Sequence, residues 1–196
     1  MVASLANFHD LQAIVSHPRD AEGELFIRTL QRLGTKVECQ WPPAETLDRK
    51  TDFLICSIEP TTRPLLETAT ANPGPAVLGI LDAHSSESLK LVGEVTPHAI
   101  IVRPLDPAAI VPNLVLARSN AKYQQRQQSK IAKLEETLRS YRKVEQAKAI
   151  LMHQRAIGEP EAYNFLREQA MRRRVPVGVI ASAVVELNEV LSEKKK

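Results

Sequence analysis

Nine cations gather in the last third of the chain: Arg139, Arg142, Lys143, Lys148, Arg155, Arg167, Arg172, Arg173 and Arg174. Such a cluster offers a footprint for the phosphates of a polyanion, with an affinity that falls steeply as salt rises. Side chains for covalent or redox chemistry are scattered by contrast. There is no G-x-G-x-x-G, P-loop, G-x-S-x-G, H-E-x-x-H or C-x-x-C motif. His9, His17, His84, His98 and His153 lie at no ligand spacing from Cys or carboxylate and read as surface or turn histidines. Cys39 and Cys56 fall in or beside apolar runs and read as buried, reduced thiols. Neither a metal, nor a cofactor, nor an enzymatic activity is expected.

The charge is unevenly spread. Residues 1–117 hold 9 Lys and Arg against 14 Asp and Glu, net −5, whereas residues 118–196 hold 17 against 9, net +8. The basic half is where a polyanion would bind. With 4% aromatics, stacking of bases on a Phe or Tyr platform is not expected as the main mode of recognition. No apolar run approaches the roughly 18 residues of a membrane span, and the N-terminus lacks a basic stretch followed by an apolar one. A cytoplasmic protein without membrane attachment is expected.

These residues must be positioned by a long central helix. Asn113 to Ile157 contains no Gly or Pro and is rich in helix formers. At about 1.5 Å per residue it would reach on the order of 65 Å, farther than a small domain is wide, so it must leave one domain and enter another. Within it Ile131, Leu134, Leu138 and Tyr141 alternate by three and four, the seam of a dimerising coiled coil. Before it, strand-length apolar runs at Leu11–Val15, Thr35–Gln40, Phe53–Ile58, Ala76–Leu81 and Ala99–Val102 alternate with helical segments at Ala21–Leu33, Arg63–Thr70 and Ser86–Glu94. Gly34 is placed to stop the first helix. This alternation predicts a doubly wound α/β domain with right-handed crossovers.

Five βα units followed by a helix from Asp106-Pro107 resemble the receiver domain of two-component regulators. The resemblance implies an acidic pair after strand 1, an Asp phosphoacceptor ending strand 3, a hydroxyl ending strand 4 and a Lys before Pro ending strand 5. Here Ser16 and His17 follow strand 1, with Asp20 nearby, and the acceptor position falls on Ser57. Asp82 stands where the hydroxyl belongs, and Arg103 precedes Pro104. Asp52 lies at the wrong end of its strand for the ligand crevice. Aspartyl-phosphate chemistry needs a carboxylate nucleophile and a carboxylate-held Mg²⁺, so Ser57, Asp82 and Arg103 read as a degenerate site. Arg103 is expected to bond Asp82 or a strand-end carbonyl.

The long helix ends at Gly158 in this reading and carries Val144, Ala147, Ile150 and Leu151 into a three-helix bundle. A second helix from Pro160 contributes Ala162, Phe165, Leu166 and Ala170. A third from Pro176 contributes Val177, Ile180, Ala181, Val184, Leu187 and Leu191, and the tail Lys194–Lys196 reads as a solvated end. The segments Val144–Met152, Glu161–Arg167, Ala170-Met171 and Ile180-Ala181 resemble the ANTAR domain of bacterial transcription antiterminators, over about residues 141–190. Tyr141 and Ala149 stand where many members have Arg and Gly.

A pseudo-receiver (1–117), a coiled-coil linker (118–140) and an ANTAR bundle (141–196) together resemble the regulators of aliphatic-amidase operons in that family. That resemblance implies a homodimer binding hairpins of leader mRNA, held inactive by a ligand-sensing partner of the periplasmic-binding type. RNA contacts are expected from Arg142, Lys143, Lys148, Arg167, Arg172, Arg173 and Arg174. The rival reading is a DNA-binding response regulator, which would need base-reading side chains at the start of a recognition helix. The third helix instead begins Pro176-Val177-Gly178-Val179.

Overall fold

A computed structural model describes residues 8–44, 47, 50–71 and 73–193, with side chains through Val190. Leu191 and the tail Lys194–Lys196 thus lie outside the described side chains. The chain divides into two compact units, Met1–Gln127 and Gln128–Lys196. The division falls inside one helix and within the expected linker 118–140.

The first unit alternates β1 (Gln12–Ser16), α1 (Ala21–Arg32), β2 (Lys36–Cys39), β3 (Phe53–Ser57), α2 (Arg63–Thr70), β4 (Ala76–Leu81), α3 (Ser86–Val95) and β5 (Ala99–Val102), and ends in the first part of α4 (Pro107–Arg155). The strands form a parallel sheet in the order β2-β1-β3-β4-β5, the doubly wound order of receiver-like folds. Every residue of β3 and β4 is buried, as a strand covered on both faces requires. One face packs Val15, Phe53, Leu78 and Ile101 against Phe26 and Leu30 of α1 and Ile110, Leu114, Ala117 and Ala121 of α4. The other packs Ile14, Leu54 and Val77 against Leu65, Leu66 and Leu91 of α2 and α3.

Local chemistry sets the element ends. Asp20 caps α1 by accepting the Gly23 N–H at 2.9 Å, and Gly34, at φ +80°, ends it in the left-handed region where a Cβ is penalised. The start of α4 lies six residues before Asn113. Asp106 accepts the Ala108 N–H at 2.9 Å and Pro107 takes the first turn, where its missing N–H costs nothing; Pro112 is carried inside the helix. Asp52 receives the Gln12 N–H at 2.9 Å at the N-terminal edge of the sheet, away from the strand ends that form the crevice.

The second unit comprises the rest of α4, α5 (Glu159–Arg173) and α6 (Val177–Glu193). Its core is Ala147, Leu151, Ala162, Leu166, Ala170, Ile180, Ala181 and Val185. The many alanines let the helix axes approach closely. At Gly178 an added Cβ would sit 2.1 Å from Ser140 Oγ and 3.2 Å from Ser140 Cβ, so α6 begins close against α4 and a larger residue would have to displace the Ser140 hydroxyl. Two expectations need correction. Leu187 is 62% exposed and Val185 takes its core place. The long helix stops at Arg155 because Ala156 turns left-handed at φ 51°, and Gly158, in extended backbone, is the N-cap of α5.

His98 also departs from the surface reading. Its half-buried Nδ1 accepts the Val77 N–H at 3.0 Å, and burial lowers its pKa below 6.5, although Gln124 opposes this. The unfolded chain therefore binds more protons below pH 6.5, and stability is expected to fall as pH drops through 6.5 toward the lowered value. Urea midpoints at about pH 7.5 and about pH 5.5 should differ less in His98→Gln than in wild type; an unchanged difference would assign the loss elsewhere.

Candidate nucleic-acid interface and degenerate receiver crevice

The C-terminal ends of β1, β3 and β5 bring His17, Ser57 and Arg103 together. Arg103 Nε donates to Glu22 Oε2 at 2.7 Å, and its Nη2 lies 2.8 Å from His17 Nε2 and 3.3 Å from Ser57 Oγ. A guanidinium can only donate, so Nε2 is the acceptor and the His17 proton sits on Nδ1, 3.0 Å from the Pro18 carbonyl. His17 is therefore a buried member of the crevice and no surface histidine.

Asp82 stands apart from this network. It is exposed and accepts the His84 N–H at 3.0 Å, so the expected Arg103 pairing is replaced by Glu22, His17 and Ser57. Ser57 is itself 1% exposed, beneath a cation. The nearby carboxylates are engaged elsewhere, Asp20 on the α1 N-cap and Glu22 on Arg103. No group of three His, Cys, Asp or Glu among the described residues is arranged to hold a metal. Burial pushes the Cys56 thiol up to about 12, far from the range of a reactive thiolate.

In the second unit the seam residues lie open. Ile131, Leu134, Leu138 and Tyr141 are 54%, 64%, 57% and 63% exposed. Beside them Arg139, Arg142 and Lys143 follow the three-and-four spacing that shares a helix strip; Arg142 is exposed and Lys143 half-buried. Arg167 is exposed on α5, Arg172 and Arg173 form its exposed last turn, and Arg174 ends it in the left-handed region at φ 56°. Arg155 sits over the Phe165 ring at 4.2 Å, and it shares a groove with Arg173.

Lys148 is placed differently from the other expected contacts. It is buried, with Nζ 2.8 Å from Glu145 and 2.6 Å from Glu159. The hydrogen bonds to Glu145, then to Glu159, hold its ammonium well above the usual lysine range, and Lys148 in turn lowers the Glu159 pKa. The side chain ties α4 to the first turn of α5. Nothing in the sequence around Lys148 marks Glu159 as its partner, since the two meet only after the chain reverses at Ala156. Replacing Lys148 with Met should lower the thermal midpoint of the bundle. The deficit should shrink both below the depressed Glu159 pKa, where that carboxylate is neutral, and above the raised Lys148 pKa. A midpoint equal to wild type at neutral pH would show that the clamp adds nothing.

Family comparison accords with this division. The family described as "AmiR, N-terminal" matches residues 11–118 and the ANTAR domain matches residues 132–185. The "Aliphatic amidase regulator" of Pseudomonas aeruginosa is 29% identical over 186 residues, 92% of this chain and 94% of that protein. The "Transcriptional regulatory protein PdtaR" of Mycobacterium tuberculosis is 26% identical over 140 residues, 70% and 68% of the two chains. The solved response regulator ChrA of a haem-sensing two-component system aligns over 92% of this chain and 98% of its own at 14% identity, TM-score 0.47. With the first match spanning more than half of its length, the chain belongs to the AmiR N-terminal family and carries an ANTAR domain behind that region.

Proposed function

We propose that this protein is a non-enzymatic, homodimeric transcription antiterminator of the cytoplasm. Its ANTAR unit binds hairpins of a nascent leader mRNA, stabilises them and prevents a terminator from forming. Control comes from sequestration by a ligand-sensing partner of the periplasmic-binding type, the arrangement that the likeness to an aliphatic amidase regulator suggests, and not from phosphorylation.

One observation carries most of this reading: the exposed stripe Ile131, Leu134, Leu138 and Tyr141 lies on the same helix as the exposed Arg139 and Arg142, in an ANTAR-matching unit whose next helix carries the exposed Arg167, Arg172 and Arg173. Burying such side chains against a second copy is worth about 1–2 kcal/mol each. A dimer then carries two ANTAR bundles, and engaging two hairpins at once multiplies weak single contacts through effective concentration. Arg142, Lys143, Arg167, Arg172, Arg173 and Arg174 are the cations assigned to phosphate. Lys148 supports them by holding α5 in place. For the degenerate crevice, a buried Ser57 hydroxyl under Arg103 replaces the phosphoacceptor carboxylate, which leaves docking as the task of the first unit.

The double substitution Leu134→Lys with Leu138→Lys should yield a monomer by sedimentation and weaken binding to a two-hairpin RNA by about 100-fold. Full-strength binding by a demonstrated monomer would overturn the dimer mechanism. In a salt series, RNA should be retained over duplex DNA of equal charge; equal retention of both would return the DNA-binding alternative. Incubation with acetyl phosphate and Mg²⁺ should leave the intact mass unchanged, and an added phosphoryl group would contradict control without phosphorylation.

A further inference from the structure

The three helices of the second unit leave an open groove of about 380 Å³, within the roughly 300–1,000 Å³ range of small-molecule sites. Its chemistry is specific. Core residues Leu151 and Ile180 line it, and so does Leu187, which is 62% exposed. The lining also includes Arg155 and Arg173, and among the described residues it contains no carboxylate. An apolar helix of another protein would bury there two cations that no described carboxylate neutralises, at a cost that such an occupant cannot offset. The complementary occupant is flat, partly apolar and anionic at its edge.

Two contacts narrow the choice. The Arg155 guanidinium is seated over the Phe165 ring at 4.2 Å, which holds it at the groove, and unpaired bases stack on guanidinium planes as they do on aromatic rings. Next to it, Gln154 Nε2 donates to Asn188 Oδ1 at 2.8 Å and joins α4 to α6 by an amide pair, the side-chain type that reads base edges. We propose that this groove is a nucleotide subsite that takes one unpaired base of the hairpin loop, stacked on Arg155, with its edge toward the Gln154–Asn188 pair and a flanking phosphate on Arg173. The proposal rests on the RNA-binding reading above and deepens it. Stacking on Arg155 is also how a chain with few aromatics can hold a base.

The test uses the full chain and three probes: hairpin RNAs of fixed stem and randomised loop, a loop-free RNA duplex of that stem, and hairpin DNA of the same design. Arg155→Lys keeps the charge and removes the plane. Ala183→Phe fills the groove from an exposed position on its wall. Wild type should prefer hairpin RNA over loop-free duplex. Both variants should lose about tenfold or more on hairpin RNA, with duplex affinity, its salt slope and the thermal midpoint unchanged. A loss in only one variant or in neither, or an equal loss on the loop-free duplex, overturns the subsite. If wild type instead holds RNA and DNA hairpins equally, the RNA-binding reading itself fails and takes the subsite with it.

Discussion

An α-helix in water holds together only when something buries one of its faces, and α4 meets that requirement at its two ends but not along its middle. Ile110, Leu114, Ala117 and Ala121 pack on the sheet, and Ala147 and Leu151 pack in the bundle. Every residue from Ser129 to Arg139 is exposed. Intrahelical hydrogen bonds alone leave such a stretch marginal, and its i,i+3 pair Glu136–Arg139, at 3.6 Å between two exposed side chains, adds only tenths of a kcal/mol. Ile131, Leu134 and Leu138 are the apolar surface available to correct this. The second copy proposed above would supply that cover, bringing the same stripe in the same register.

Elsewhere, two cations at motif positions turn inward. Arg103, before the proline that ends β5, reads from sequence as a cation bonded to Asp82 or a strand-end carbonyl, and Lys148, inside the ANTAR segment, as a contact to RNA. In the fold each is held by carboxylates, Arg103 by Glu22 and Lys148 by Glu145 and Glu159. Arg103 places a permanent positive charge over the crevice where receiver chemistry would collect Mg²⁺ and phosphate, and it makes the site self-satisfied. Lys148 fixes the angle at which α5 leaves α4, and with it the positions of Arg167 and the α5 terminus.

Legibility in the sequence followed the physics of each signal. α2, β4 and β5 occupy the residues predicted for them, since continuous apolar runs and Pro64 leave few alternatives. The C-terminal end of α4 was not readable. A glycine at 158 is the expected stop, yet Ala156 and Arg174 take the left-handed conformation that their Cβ atoms disfavour, under tertiary demands that no local pattern encodes. The burial of His17 and His98, against a reading as surface or turn histidines, has a related cause. Their partners, Arg103 and the Val77 amide, lie 86 and 21 residues away. The groove amides Gln154 and Asn188, 34 residues apart, carry no motif at all.

The central claim is that two chains, joined through the α4 stripe, act together on one RNA. Sedimentation equilibrium of the full chain titrated with a two-hairpin RNA tests it most directly. Saturation at two 21.8 kDa chains per RNA, with a dimer already present before RNA is added, is the predicted result. A single chain per RNA at saturation, bound at full affinity, would contradict it.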